Sequence, residues 1–115
     1  MDTQINIKKY LPLTEATYYI LISLLEPLHG YGIMQNVEKI SDSEVRLGPG
    51  TLYGALSKLE KEKLIQHVSS SERKKYYQLT EGGKKLVQLE FRRLTGLIKN
   101  SKNVIERMEE NNEQK

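Results

Sequence analysis

The last third of the sequence carries an apolar stripe that is too long for a domain of this size to cover. Its members are separated by alternating gaps of four and three residues: Val87, Phe91, Leu94, Ile98, Ser101, Ile105 and Met108. This 3.5-residue period predicts a helix from Glu81 to about Glu110 that pairs with another helix. At 1.5 Å per residue such a helix is roughly 45 Å long. The residues before it fold into a body with a radius of gyration of only about 12 Å.

The distal half of this stripe therefore needs a cover that the domain itself does not supply. One alternative is an amphipathic helix that folds back on its own chain. Pairing with the same helix of a second copy is favoured, because it also covers the apolar first helix described below. We therefore predict a two-fold homodimer. The residues predicted to form the dimer contact are Val87, Phe91, Leu94, Ile98, Ile105 and Met108.

Length and composition fit one small domain, since the chain has 115 residues of which 37% are hydrophobic and 29% charged. There is no cysteine, which excludes disulfides and thiolate metal sites and fits a cytoplasmic protein. The first residues lack the apolar run of a signal peptide, and the stretch "ATYYILISLL" is too short to span a membrane. We predict a winged-helix domain with an N-terminal arm at 1–80, a dimerisation helix at 81–110 and a polar tail at 111–115. Residues 1–12 form either a mobile arm or a short extra turn.

Two helices and a turn are predicted before the middle of the chain. Thr14 is a suitable N-cap for a helix that continues to about Glu26 and is apolar almost all round. A second helix is predicted over 31–40, after the proline and glycine break "EPLHGYG". Residues 45–47 are predicted as a short strand. A third helix then begins at Pro49, where the missing N–H does no harm.

The third helix has two different faces. Leu52, Ala55, Leu56 and Leu59 follow helical spacing and form one buried stripe. The opposite side carries Tyr53, Gly54, Ser57 and Lys61, flanked by Thr51 and Lys58. A glycine inside a helix destabilises it by about 1 kcal/mol relative to alanine, so the presence of Gly54 on this exposed side requires an explanation. Either a larger side chain would hold the helix off a partner, or another helix packs closely there.

The segment "LIQHVSSSERKKYYQL" alternates as a β-hairpin does, with Ile65 and His67 on one face and Tyr77 and Leu79 sharing a face. Its tip at 69–73 has neither Gly nor Asn, which favours a loose wing of four to six residues over a tight turn. From residue 46 to 75 there are seven basic and three acidic residues, a surplus of four positive charges. A local basic surplus of this kind favours an acidic partner such as nucleic acid.

The order of three helices, a hairpin and a helix predicts an α+β, mostly α fold: a winged helix-turn-helix with a long C-terminal dimerisation helix. In such folds the third helix enters the major groove of DNA. Glycines near its start keep it slim, so that its free N–H groups can meet a phosphate. The residues predicted to contact double-stranded DNA are Pro49, Gly50, Thr51, Tyr53, Gly54, Ser57, Lys58, Lys61, Arg73, Lys74 and Lys75.

Four segments resemble the PadR-type transcriptional regulators: "HGYGI" at 29–33, "LGPGTLYGALSKLE" at 47–60, "KLI" at 63–65 and "RKKYYQLTEGG" at 73–83. The single C-terminal helix is similar to the smaller subgroup of that family. The resemblance implies a homodimeric repressor of a palindromic operator, which in several relatives a small aromatic or amphiphilic molecule releases. An effector at the dimer interface and a repressor without an effector both stay open. The wing sequence "SSSER" and the absence of tryptophan depart from many relatives, so multidrug sensing through a tryptophan sandwich is not expected.

Two other classes of function compete with a DNA-binding regulator. A winged helix that binds protein instead of DNA is the alternative, and a gel-shift assay separates it from a DNA-binding regulator. An enzyme is not expected, because no Ser-His-Asp set, glycine-rich phosphate loop or paired carboxylates can be assembled.

Several other residues are predicted to have structural roles and not functional ones. His29 and His67 are isolated from other ligand types, so neither a metal site nor a cofactor is predicted. Tyr31 is predicted as core, and Arg92 and Arg93 as solvated. One of the adjacent tyrosines 76 and 77 is expected to be packed, and the glycines at 82 and 83 to let the last helix cross the body closely. Any effector site is expected between the first helix and the stripe near Phe91.

Overall fold

A computed structural model describes residues 6–71 and 74–113 of the chain. The described part contains four α-helices and a small antiparallel sheet, so the predicted winged-helix class is confirmed. The elements are α1 (Glu15–Ile22), β1 (Leu28–His29), α2 (Gly30–Ile40), α3 (Pro49–Lys61), β2 (Ile65–Ser71), β3 (Lys74–Leu79) and α4 (Glu81–Glu113), preceded by a 3₁₀ turn at Ile7–Tyr10. No helix of the described ranges combines the length and apolarity that crossing a membrane requires.

The first helix is capped as predicted but is shorter. The Oγ1 atom of Thr14 accepts a hydrogen bond from the backbone N–H of Thr17 at 3.1 Å. The helix ends at Ile22 instead of near Glu26. The residue before a proline is disfavoured in the helical conformation, so Pro27 acts against a helix that reaches Glu26.

The three strands are ordered β1-β3-β2, and the first strand lies where the sequence indicated only a chain break. Leu28 pairs with Tyr77, and His29 pairs with Tyr76. The strand predicted over 45–47 is wrong. The hydroxyl of Ser41 instead accepts the backbone N–H of Val45 at 3.0 Å, which ties this segment back to the end of α2.

The hairpin has the predicted alternation, with Tyr77 and Leu79 both buried and Ile65 paired to Leu79. β2 continues to Ser71 and pairs there with Lys74, after an irregular register beyond Val68. The predicted loose tip at 69–73 therefore begins too early, since residues 69–71 belong to β2. Backbone pairing needs no particular side chain, so the strand continues through the serines. Residues 72 and 73 lie outside the described ranges.

The hydrophobic core is shared by all four helices and the hairpin. Its buried members are Ile20, Leu21, Leu24, Ile33, Val37, Leu52, Leu56, Leu59, Leu64, Ile65, Tyr77, Leu79 and Leu86. Only the first part of α4 contributes to this core, through Leu86, with Val87 packed against it.

α4 crosses the body at its N-terminus and then leaves it. Thr80 caps the helix as predicted, since its Oγ1 atom accepts the N–H of Gly83 at 3.1 Å. A Cβ atom added at Gly83 would lie 2.1 Å from the carbonyl oxygen of Leu64, so the predicted close crossing is confirmed there. The helix extends to Glu113, three residues beyond the predicted end. Every residue over 97–112 is exposed, so the distal half overhangs the domain.

The N-terminal segment forms the short extra turn of the two predicted alternatives, and it is tied to α4 by Glu90. This carboxylate is buried and accepts the backbone N–H of Leu13 at 2.9 Å. It also accepts two hydrogen bonds from Arg93, at 2.6 and 3.0 Å. These bonds hold the pKa of Glu90 below its usual range, although burial acts against them. The prediction that Arg93 is merely solvated is therefore wrong.

Candidate nucleic-acid interface

The N-terminus of α3 is open to an anionic partner. Pro49 occupies the first helical turn and Gly48 is the N-cap, with an extended backbone and no side-chain cap. A Cβ atom added at Gly48 or Gly50 would meet no described atom within 4 Å. The first N–H groups of a helix have no partner within the helix. In α3 they lie at an exposed surface, with the positive end of the helix dipole.

The outward surface of α3 is separate from its buried stripe, as the sequence predicted. Leu52, Leu56 and Leu59 are buried, and Ala55 packs beside them. The exposed residues are Pro49, Gly50, Thr51, Tyr53, Gly54, Ser57, Lys58 and Lys61. We call these eight residues the α3 face.

Gly54 lies in open space at the middle of the α3 face. A Cβ atom added there would meet nothing within 4 Å among the described residues. Close packing of another helix of this chain against Gly54, the competing explanation, is therefore absent from the described part.

Tyr53 is half exposed and lies against α2, which the sequence did not indicate. A Cβ atom added at Gly30 would lie 2.2 Å from the Tyr53 hydroxyl oxygen and 2.6 Å from its Cζ atom. Gly30 is the first residue of α2 and is buried although the helix starts at the surface. In the sequence Gly30 cannot be told from an ordinary turn glycine, so it gave no signal for this contact.

Two of the three basic residues predicted for the wing lie within the described residues. Lys74 and Lys75 are exposed on β3, whereas Arg73 lies outside the described residues. The Nζ atom of Lys75 is 3.7 Å from a carboxylate oxygen of Glu60 on α3 and 5.5 Å from the centre of the Tyr77 ring. The charge of Lys75 is thus partly balanced, so Lys74 carries more of the unbalanced positive charge in the described part of the wing.

The aromatic residues around the wing correct one prediction and confirm another. Tyr77 is buried, whereas Tyr76 is only partly buried and its ring centre lies 5.4 Å from that of His29. Tyr31 is 60% exposed, so its assignment to the core is wrong. It stands at the start of α2, where the helix turns it away from the core members Ile33 and Val37. Within the described ranges, no three His, Asp or Glu side chains gather as metal ligands would.

The predicted dimer stripe is unpartnered along the distal half of α4. Val87 and Leu94 are partly buried against the body. The other predicted members are between 47% and 69% exposed: Phe91, Ile98, Ile105 and Met108. Leu97 and Val104 are also about half exposed, at 53% and 48%, and were missed by the sequence analysis. Each directly precedes a member of the stripe, so the doublets Leu97–Ile98 and Val104–Ile105 were the available signal.

A groove of about 380 Å³ lies between α1 and α4, near the place predicted for an effector. Burial, with the Glu90 charge as a second cause, raises the pKa of the Tyr18 phenol in this groove. Phe91 does not line it. Its lining residues are Leu13, Thr14, Glu15, Tyr18, Tyr19, Glu90, Arg93 and Leu94.

Comparison with known proteins agrees with this architecture. The model of a family described as the transcriptional regulator PadR-like family matches residues 20–89. An uncharacterized 37.1 kDa protein in transposon TN4556 of Streptomyces fradiae is 38% identical over 88 residues. That match covers 73% of this chain but 25% of the relative, so the chain spans about a quarter of the relative's length.

Two solved structures are similar over much of the chain. A PadR family transcription regulator from Clostridium difficile superposes with a TM-score of 0.63 at 28% identity, over 77% of this chain and 97% of that one. Bacillus subtilis PadR in complex with operator DNA gives a TM-score of 0.57 at 27% identity, over 63% of this chain and 44% of that one.

Proposed function

This chain belongs to the PadR-like family of transcriptional regulators, and we propose that it is a homodimeric repressor that binds a palindromic operator in double-stranded DNA. In this proposal the α3 face of each subunit enters the major groove and the wing contacts the adjacent backbone. The two recognition helices then meet successive grooves about 34 Å apart.

The observation that carries the proposal is the α3 face itself. It combines two glycines in open space, three hydroxyl-bearing side chains and two lysines beside an uncapped helix start. Hydroxyl groups and backbone N–H groups bind phosphate oxygens and base edges, and lysines neutralise phosphates. The similar Bacillus subtilis protein, solved with operator DNA, supports the same partner for this chain.

DNA binding is tested by sequencing the genomic fragments that the purified chain retains, followed by fluorescence anisotropy on the selected site. We expect an inverted repeat and an affinity that falls steeply as salt rises. Failure to retain any fragment in moderate salt would remove the proposal and favour a protein-binding winged helix.

The Gly54→Leu variant tests whether the α3 face is the docking surface. A leucine at this open position should hold the helix away from the groove and weaken binding without unfolding the dimer. Gly96→Leu is the matched control, because a Cβ atom at Gly96 on α4 would also meet no described atom within 4 Å. Equal affinities of the two variants would contradict this assignment.

The dimer rests on the exposed apolar side of α4. In heptad terms Phe91, Ile98 and Ile105 occupy position a, and Leu97 and Val104 occupy the preceding position g. Apolar residues at a, d and g make a wider face than the two-stranded seam alone requires. The additional width supports contact with the partner's body as well as with its α4.

A second unpartnered surface fits that additional contact. A groove of about 270 Å³ beside the start of α4 is lined mainly by Ile22, Leu25, Leu79 and Val87, and Leu25 is 57% exposed. In a two-fold dimer the same patches meet reciprocally. The distal α4 of one subunit is therefore expected to lie near Leu25 of the partner.

Sedimentation velocity tests the dimer. Ile98→Glu places a charge in the centre of the apolar stripe and should produce monomers. Lys99→Glu changes the charge one residue further on, away from the stripe, and should leave the dimer intact. A wild-type chain that sediments as a monomer would exclude this assembly.

The groove between α1 and α4 is our proposed site for a small aromatic effector. It combines apolar walls with two tyrosines, and it adjoins the stripe where the subunits meet. A molecule bound there would change the angle of α4 and so the spacing of the recognition helices. Anisotropy with a panel of small aromatic compounds tests this, and compounds that release DNA from the wild type should release less from Tyr18→Ala.

A further inference from the structure

We propose that Gly30 is a positioning residue for DNA binding: it provides a seat on α2 that keeps the Tyr53 ring low on the α3 face, where the ring contacts the DNA without holding the helix out of the groove. The inference rests on the proposed function of the α3 face. It assigns a shared role to Gly30 of α2 and Tyr53 of α3: together they set the position of the tyrosine ring on the α3 face.

The contact is closer than ordinary packing permits for any other residue at position 30. A Cβ atom there would lie 2.2, 2.6 and 2.9 Å from the Oη, Cζ and Cε1 atoms of Tyr53. Real Cβ atoms essentially never approach neighbours within 3.0 Å. The ring therefore occupies the space that a side chain at position 30 would fill.

Gly32, in the same turn of α2, is explained by different neighbours. A Cβ atom at Gly32 would approach Leu28 at 2.8 Å and the His29 ring at 3.2 Å, and Tyr53 is not among its nearest atoms. Glycine is the poorest helix former after proline. Its use at the first residue of α2 is explained by the Tyr53 ring, which supplies the three atoms nearest to an added Cβ.

Tyr53 is the largest side chain of the α3 face, and 49% of its surface is exposed. Its neighbours on that face are small, and the positions of Gly50 and Gly54 are open. A side chain that loses one rotamer must adopt another staggered one. With the seat blocked, the ring turns from α2 towards solvent on the surface that meets DNA.

This geometry separates a change in binding from a change in stability. The atoms that block a Cβ at Gly30 are the far end of a half-exposed side chain, so the ring yields and the fold is retained. Alanine is also the better helix former. The Gly30→Ala variant should therefore melt within a few degrees of the wild type while its DNA binding fails.

The decisive experiment is a double-mutant cycle by fluorescence anisotropy on the selected operator. We expect Gly30→Ala to weaken binding at least tenfold, and Tyr53→Ala about threefold. The double variant should return to the affinity of Tyr53→Ala, because no ring remains to be displaced. Tyr53→Phe should bind within twofold of the wild type. Gly96→Ala is the control for an added methyl group in open space on α4.

Three results would overturn the proposal. They are that Gly30→Ala binds like the wild type, that its defect persists in the double variant, or that Tyr53→Phe loses as much affinity as Tyr53→Ala. The last result would make the hydroxyl a direct DNA contact instead.

An NMR measurement tests the seat without DNA. In the wild type the Tyr53 ring current should shift the Gly30 Hα resonances, and Tyr53→Leu should remove that shift. Unshifted wild-type resonances would overturn the seat even if Gly30→Ala failed to fold. A wild type that retains no DNA would instead refute the proposed function, and the NMR result would still decide whether the seat exists.

Discussion

The point at which α4 crosses the body provides the sharpest stability prediction. In Gly83→Ala the new Cβ atom would lie 2.1 Å from the Leu64 carbonyl oxygen and 3.1 Å from its carbonyl carbon. Ordinary contacts begin near 3.4 Å. Because the nearest blocking atom belongs to the backbone, no side chain can relieve the clash by turning aside, and the helix must separate from the Leu64 segment just before β2.

The magnitude follows from two opposing terms. Overpacking costs typically about 1–3 kcal/mol, and a backbone obstacle places Gly83→Ala at the upper end. Replacing glycine by alanine in a helix returns up to about 1 kcal/mol. The expected net loss is about 2 kcal/mol, which for a chain of this length lowers the melting temperature by roughly 8–10 °C.

Gly82→Ala is the matched control in the same helix turn. Its Cβ atom would lie 3.7 Å from the Thr80 Oγ1 atom and 3.9 Å from the Lys63 carbonyl oxygen, which are ordinary contacts. Its melting temperature should equal or exceed that of the wild type. Thermal unfolding is followed by circular dichroism at one protomer concentration, since dimer stability depends on concentration. If Gly83→Ala is as stable as Gly82→Ala, the crossing is not as close as we describe.

Three further predictions concern charged residues. The pKa of Glu90 in the folded chain lies below its ordinary 4.5, so the charged carboxylate stabilises the fold above that pH. This stabilisation is lost as the pH falls through the folded pKa. The melting temperature of the wild type should therefore exceed that of Glu90→Gln by less and less in that range. Glu60→Gln removes the partner of Lys75 and should tighten operator binding about two- to threefold at low salt, measured by anisotropy. Lys58→Met should weaken binding evenly across operator sequences and reduce the salt slope by about one.

The helices of the DNA-binding unit were predictable because their chemistry is periodic. The leucines of α3 repeat with helical spacing, and Pro49 and Thr80 mark helix starts through local backbone chemistry. The candidate DNA contacts followed from the same periodicity, since residues opposite a buried stripe face outward. The distal exposure of α4 followed from length alone.

Features made by contacts between distant residues were not predictable. β1 is two residues long and exists because Leu28 and His29 pair with β3, almost fifty residues away. No alternation develops in two residues, so the sequence showed only a proline and glycine break. The contact between Gly30 and Tyr53 was unpredictable for the same reason. In the sequence Gly30 cannot be told from an ordinary turn glycine, because the contact exists only once α3 packs beside α2.

The heptad g positions of α4 show where this chain stops covering its own helix. Within the apolar stripe that begins at Val87, the first is Glu90, and the next two are Leu97 and Val104. Glu90 is buried, and Leu13 of the N-terminal segment and Arg93 donate hydrogen bonds to it. Leu97 and Val104 are apolar and half exposed. A buried carboxylate needs hydrogen-bond donors fixed by its own fold, whereas apolar side chains need only an apolar cover. The change from one to the other between residues 90 and 97 coincides with the loss of burial along α4. Contacts supplied by this chain therefore end there, and the contacts of the proposed dimer begin.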